Sequence, residues 1–217
     1  MAFSGRTSRR SLLAALAVLP VLAALPASAR ERTVLVFGDS LVAGLGLPAD
    51  QGFVPHMQAA LDKAKAGVTL VNGGVSGDTT TTALARLDWA LGDDPDGVLL
   101  ELGANDMLEG VPVATIAANL DAIMKKLVAR KLPVFIAGMK ANRGLGADYA
   151  SAFDALYPAL AKKYGATLYP FFLDGVAGHP DLQLEDGLHP NPKGVDVMVE
   201  RILPVVVKAI ADNGGPS

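Results

Sequence analysis

From Thr33 onward, short apolar runs alternate one for one with longer amphipathic stretches, and this alternation constrains the fold more than any other property of the chain. The runs Thr33–Phe37, Val68–Val71, Val98–Leu102, Pro133–Ala137 and Ala166–Tyr169 are each four or five residues long. They are short, apolar and often β-branched, as strands buried on both faces are. Phe53–Ala66, Thr79–Leu91, Val113–Arg130, Asp148–Tyr164 and Pro192–Ala211 carry helical spacing instead. Five strands alternating with five helices predict a single-domain α/β fold: a three-layer α/β/α sandwich around a five-stranded parallel sheet, flavodoxin-like in architecture. Hydrophobic residues make up 51 % of the chain and charged residues 19 %, enough apolar material for such a core.

The first 29 residues read differently. Arg6, Arg9 and Arg10 precede an apolar stretch from Leu12 to Leu25, and Ala27-Ser28-Ala29 has the small-x-small pattern of a cleavage site. That layout predicts a signal peptide over 1–29 and a single domain over 30–217, periplasmic or secreted after cleavage near Ala29. Ser8-Arg9-Arg10-Ser11-Leu12-Leu13 is similar to a twin-arginine signal. Pro20 interrupts the apolar stretch, which falls short of the roughly 20 residues a membrane span needs, so no integral span is expected in the mature chain. All 22 acidic residues lie after position 29, so the formal net charge of −3 becomes −6 over residues 30–217. A nucleic-acid partner would call for a basic face and is not expected. Without cysteine there is neither a disulfide nor a lipidated cysteine anchor.

In an open parallel sheet, ligands sit beyond the carboxyl ends of the strands. The loops there contain Gly38-Asp39-Ser40, Asn72-Gly73-Gly74-Val75-Ser76-Gly77-Asp78-Thr79, Gly103-Ala104-Asn105-Asp106, Lys140–Gly146 and Pro170–Pro192. A serine hydroxyl is a poor nucleophile unless a base activates it. Of the three histidines, His56 lies in a helical pattern as a surface or packing residue, and His179 precedes Pro180 in a loop. His189 follows Asp186 by three residues, close enough for the carboxylate to fix the ring's tautomer and leave Nε2 free to take a proton. Each fragment also has a plain reading. Ser40 can cap a helix, Asn105 can sit in a turn, and Gly77-Asp78-Thr79 can be an ordinary helix start. What favours chemistry is that all of them follow strands of one sheet.

Taken together, Gly38-Asp39-Ser40-Leu41, Gly77 in Ser76-Gly77-Asp78-Thr79, Asn105 in Gly103-Ala104-Asn105-Asp106, and Asp186-x-x-His189 resemble the four blocks of the SGNH (GDSL) hydrolase superfamily. Leu100-Glu-Leu-Gly-Ala-Asn-Asp106 and Leu168-Tyr-Pro-Phe-Phe172 are similar to its branch of thioesterases, lysophospholipases and arylesterases. The resemblance implies that Ser40 is the nucleophile, His189 the general base and acid, and Asp186 the orienting carboxylate. It further implies an oxyanion hole of Ser40 N–H, Gly77 N–H and the Asn105 amide, with Gly74 the lesser candidate for the backbone donor. Asp181 and Glu185 are alternative acids. The implied substrate is a small-molecule or lipid ester or thioester, with no metal and no cofactor. Met107, Leu108, Val111, Met139 and Leu145 are candidate mouth residues favouring acyl or aryl groups, and a carbohydrate acetylesterase of the same superfamily is the alternative. Outside the superfamily stand a non-catalytic flavodoxin-like binding module, since helix N-termini at strand ends also hold phosphates, and a metal-dependent hydrolase using His179 and His189.

Overall fold

The β-branched run that opens the domain lies between two neighbours. β1 (Arg32–Gly38) pairs in parallel with β2 (Val68–Gly74) on one side and with β3 (Gly97–Glu101) on the other. Beyond β3 lie β4 (Val134–Ala137) and β5 (Thr167–Tyr169), giving the order β2-β1-β3-β4-β5, all parallel. The computed structural model describes residues 32–92 and 94–213, together with the first two. The expected signal peptide therefore lies outside the described residues, apart from its first two. No helix among the described residues is long and apolar enough to cross a membrane.

Among the described residues, eight α-helices complete the layers: α1 (Ser40–Ala43), α2 (Phe53–Lys63), α3 (Thr80–Ala90), α4 (Ala104–Leu108), α5 (Val113–Ala129), α6 (Ala147–Asp154), α7 (Leu156–Tyr164) and α8 (Pro192–Asp212). α2 packs on α8, and α3 and α7 pack on α5, so the sheet is covered on both faces. β3, buried at all five positions, is the centre of the core.

Two differences from the sequence reading have local causes. The single helix expected over 148–164 is two, broken at Ala155. Pro158 has no N–H to donate to the Asp154 carbonyl one turn back, so the hydrogen-bond ladder cannot run through. The short helices α1 and α4 are too brief to carry helical spacing, although the sequence does point to a helix start at Ser40. Each starts within three residues of a strand's end, α1 capped by Asp39, whose side chain accepts the Leu41 N–H at 3.0 Å.

The strand order reverses around β1. β2 lies on one side of it and all later strands on the other, which opens a crevice between the loops following β1 and β3. Register sets the carboxyl edge: Gly38 is level with Gly74, Phe37 with Leu100, and Glu101 with Ala137. Ser40 and Asn105 leave the sheet on adjacent strands.

Candidate active site

Ser40 sits at the first position of α1, where a helix N–H has no intrahelical acceptor. Gly38 is required beneath it. A Cβ there would lie 2.4 Å from Val42 Cγ2 and 2.7 Å from Glu101 Oε2, so only a residue without one lets β1 run under α1 against β3. Ser40 is 7 % exposed, and its Oγ is 2.8 Å from His189 Nε2.

His189 arrives from the long connection between β5 and α8, and that connection is braced. Gln183 bridges Pro190, the Leu184 N–H donates to the His189 carbonyl at 2.8 Å, and Asn191 caps α8 while its Nδ2 donates to the Asp181 and Gln183 carbonyls. Asp186 Oδ1 accepts the N–H groups of Leu188 and His189 at 2.9 and 3.0 Å, and its Oδ2 is 2.6 Å from His189 Nδ1. Those backbone donors, with the imidazole, hold the Asp186 carboxyl down at about 2. A charged carboxylate against Nδ1 favours the tautomer with its proton there, leaving the Nε2 lone pair toward Ser40 Oγ.

The structure thus joins Ser40, His189 and Asp186 in one relay, although 149 residues separate the serine from the histidine. The other candidates are placed elsewhere. Asp181 offers its backbone carbonyl to Asn191, His179 caps the 3₁₀ turn Pro180–Leu182, and His56 pairs with Asp196 of α8 at 2.8 Å. Gly74 spends its N–H on Asn72 Oδ1 at 2.9 Å. Gly77 has φ +84°, a left-handed value that glycine adopts without strain, and nothing lies within 4 Å of where its Cβ would be.

Asn105, on α4, is near both loops. Its Nδ2 donates to the Asp78 carbonyl at 2.9 Å and to Asp39 Oδ2 at 3.2 Å. Asp106 beside it is wholly buried and accepts from Thr80 N and Oγ1 at 2.7 and 2.6 Å, tying α4 to the start of α3.

Two carboxyls lie directly under the serine. Asp39 and Glu101 are both fully buried, Glu101 Oε2 accepts the Asp39 N–H at 3.4 Å, and Glu101 Oε1 has no partner among the described residues. Burial pushes Asp39 up to about 6, while burial and the facing Asp39 carboxyl push Glu101 well above its usual 4.5. Glu101 therefore holds its proton more tightly folded than unfolded. Its burial costs nothing extra below about pH 4.5 and costs more as pH rises, until the folded group ionises. Glu101→Gln keeps the shape and cannot ionise. It should gain stability over the parent progressively as pH rises above about 4.5, with Tm rising relative to the parent over the same range. Thermal melts of both proteins from pH 4 to 8 check this. Parallel curves would show that Glu101 does not titrate with folding there.

The profile of the GDSL-like lipase/acylhydrolase family matches residues 36–197, a span that runs from β1 through the relay into α8. The chain belongs to this family. Among members similar to it is an arylesterase of Vibrio mimicus, 37 % identical over 84 % of this chain and 92 % of that protein. Esterase TesA of Pseudomonas aeruginosa is 36 % identical over 82 % of this chain and 89 % of its own length. Of solved structures, the psychrotrophic esterase EstA from Pseudoalteromonas, inhibited by monoethylphosphonate, superposes with a TM-score of 0.77. It is 34 % identical and covers 82 % of this chain and 97 % of that one. Within the family frame the mouth residues sort differently from expectation. Met107, on α4, and Met139, just beyond β4, are core residues, whereas Leu108 and Leu145 are exposed and Val111 is half-buried. Leu45, Val75 and Leu188 are also exposed. With Leu108 and Leu145, the connection that follows each strand of this GDSL hydrolase carries an exposed leucine or valine.

The polar residues around the serine that motif reading left without a role are Arg86, Glu101 and Asp106. An ionisable residue inside an otherwise apolar central strand was the available signal for Glu101, and the four-residue spacing of Asp78, Thr82 and Arg86 was the signal for Arg86.

Proposed function

We propose that the protein is a serine esterase acting on acyl or aryl carboxylic esters and thioesters, and that it does so through an acyl-enzyme on Ser40. The observation that carries this reading is the continuous relay from Ser40 Oγ to His189 Nε2 at 2.8 Å and from His189 Nδ1 to Asp186 Oδ2 at 2.6 Å. In the first half-reaction Ser40 Oγ bonds to the carbonyl carbon as His189 Nε2 takes its proton. The tetrahedral intermediate then expels the alcohol or thiol, which leaves with that proton. In the second half-reaction water attacks the acyl-enzyme by the same route and frees the acid.

The oxyanion needs donors, and Ser40 N–H, Gly77 N–H and Asn105 Nδ2 supply them in this reading. Asn105 gives up its longer bond, the one to Asp39 Oδ2, and keeps the 2.9 Å bond to the Asp78 carbonyl that fixes its direction. Asn105→Ala should lower kcat by about 10²–10³ with little change in KM. Steady-state kinetics on a p-nitrophenyl ester read this directly, and a rise in KM alone would make Asn105 a binding residue instead.

The exposed aliphatics around the strand ends favour an apolar acyl or aryl group over a sugar acetate. Export by the signal at 1–29 is part of the same proposal. The test of function is labelling of residues 30–217 with a fluorophosphonate, followed by peptide mapping. A single adduct on Ser40, lost in His189→Ala, is expected; a folded protein that takes no label refutes the reading.

A further inference from the structure

We propose that Arg86 is the positioning residue that fixes the spacing of the oxyanion donors, an inference that rests on the esterase reading above. Asp78, Thr82 and Arg86 follow one another at intervals of four, so the start of α3 and the residues before it present them on one face. That face is turned inward: the side chains of Arg86 and Asp78 are 17 % and 7 % exposed. Arg86 Nε donates to Asp78 Oδ2 at 2.5 Å, and Thr82 Oγ1 donates to the other Asp78 oxygen at 2.8 Å. Arg86 Nη2 donates to the Gly38 carbonyl at 3.1 Å and the Gly73 carbonyl at 2.9 Å, and the guanidinium lies 4.2 Å from the centroid of the Phe37 ring.

Burying a guanidinium is costly, and its removal from water is offset only where its donors and its flat face all find partners. Here the partners lie on the segments that carry the proposed oxyanion donors. Gly38 stands two residues before Ser40. Asp78 directly follows Gly77, and its carbonyl receives Asn105 Nδ2. Gly73 is the last residue but one of the strand from which the Gly77 turn departs, and the Gly38 carbonyl that Arg86 holds also accepts the Val75 N–H of that turn at 3.1 Å. One side chain therefore ties together the ends of β1 and β2 and the turn beyond β2. Oxyanion stabilisation requires such donors to be fixed before the reaction, and the guanidinium fixes them without touching substrate.

Lysine keeps the charge but holds its three N–H donors on one compact nitrogen, so it cannot reach the separated acceptors of Nε and Nη2 together or stack on Phe37. Arg86→Lys should lower kcat by about 10- to 100-fold, the effect of donors displaced by up to an ångström. KM should stay within about twofold, since binding of the substrate's apolar part is untouched. The rate of Ser40 labelling by fluorophosphonate should fall with kcat. Arg86→Ala should be lower still and should recover several-fold in methylguanidinium chloride, but not in sodium chloride of equal ionic strength. Circular dichroism and a thermal melt of each variant at the assay temperature give the folded fraction. A folded Arg86→Lys with the parent's kcat and labelling rate overturns the proposal. So does a loss of activity that merely follows the folded fraction and that methylguanidinium does not relieve. A parent that takes no label on Ser40 fails the esterase reading itself, and this inference with it.

Discussion

Ser40→Ala should lower kcat by about 10⁶-fold, His189→Ala by nearly as much, and the double variant hardly further. The geometry explains the non-additivity. Ser40 Oγ and His189 Nε2 stand 2.8 Å apart, and neither does chemistry without the other. Without the hydroxyl no acyl bond forms; without the imidazole the hydroxyl keeps its proton and is a weak nucleophile. What remains in either variant is the pull of the oxyanion donors on a water-driven reaction, which triad deletions generally leave at about 10³–10⁴ over the uncatalysed rate. Stability should change little. Ser40→Ala removes one hydroxyl from a site that the Asp39 side chain still caps through Leu41 N–H. Single-turnover hydrolysis of an activated ester by the three variants, with a thermal melt of each, checks the prediction. Ser40→Ala with much of the parent's kcat would move the chemistry to another group, and losses that multiplied in the double variant would mean that the two residues act separately.

How far this site could be read before folding depended on whether each residue's role is local. Asp186 and His189 are three apart, so their pairing follows from spacing. Ser40, Gly77 and Asn105 follow strands, so the periodicity that located the strands also located them. The order β2-β1-β3-β4-β5 was not legible, because nothing in a strand's own sequence says which neighbour it takes. Yet that order brings the Ser40 and Asn105 loops together. β2 runs three residues further than its apolar run, through Asn72-Gly73-Gly74, because pairing with β1 overrides the low strand preference of those residues. Met107 and Met139 follow strands, which is why sequence places them at the mouth, but burial depends on which way the chain turns there, and composition does not determine that. Arg86 could have been noticed from its phase with Asp78 and Thr82, but its acceptors at Gly38 and Gly73 are backbone carbonyls, and no pattern of side chains announces them.

Asp186→Asn should lower kcat by about 10⁴-fold while leaving the fold intact. In the parent, Asp186 Oδ1 accepts two backbone N–H groups and Oδ2 faces His189 Nδ1. Asparagine can keep its oxygen on the backbone donors, which preserves the turn, and this puts its NH₂ against Nδ1. Two N–H groups cannot face each other at that distance, so the ring must carry its proton on Nε2. Nε2–H then donates to Ser40 Oγ instead of accepting from it, and the base is lost without any atom having moved far. The imidazolium formed during attack also loses the charge that stabilises it. The side chain of Asp186 is 42 % exposed, so the substitution leaves no unpaired buried charge and Tm should move little. With its carboxyl held down at about 2, Asp186 is ionised throughout the ordinary assay range, so loss of activity between pH 7 and 4 belongs to other groups. kcat and Tm of Asp186→Asn, measured beside Asp181→Asn and Glu185→Gln, test the assignment. The two neighbours should match the parent because neither carboxylate is placed against Nδ1. A larger loss in either of them would transfer the orienting role to that residue and make the 2.6 Å contact of Asp186 a structural one.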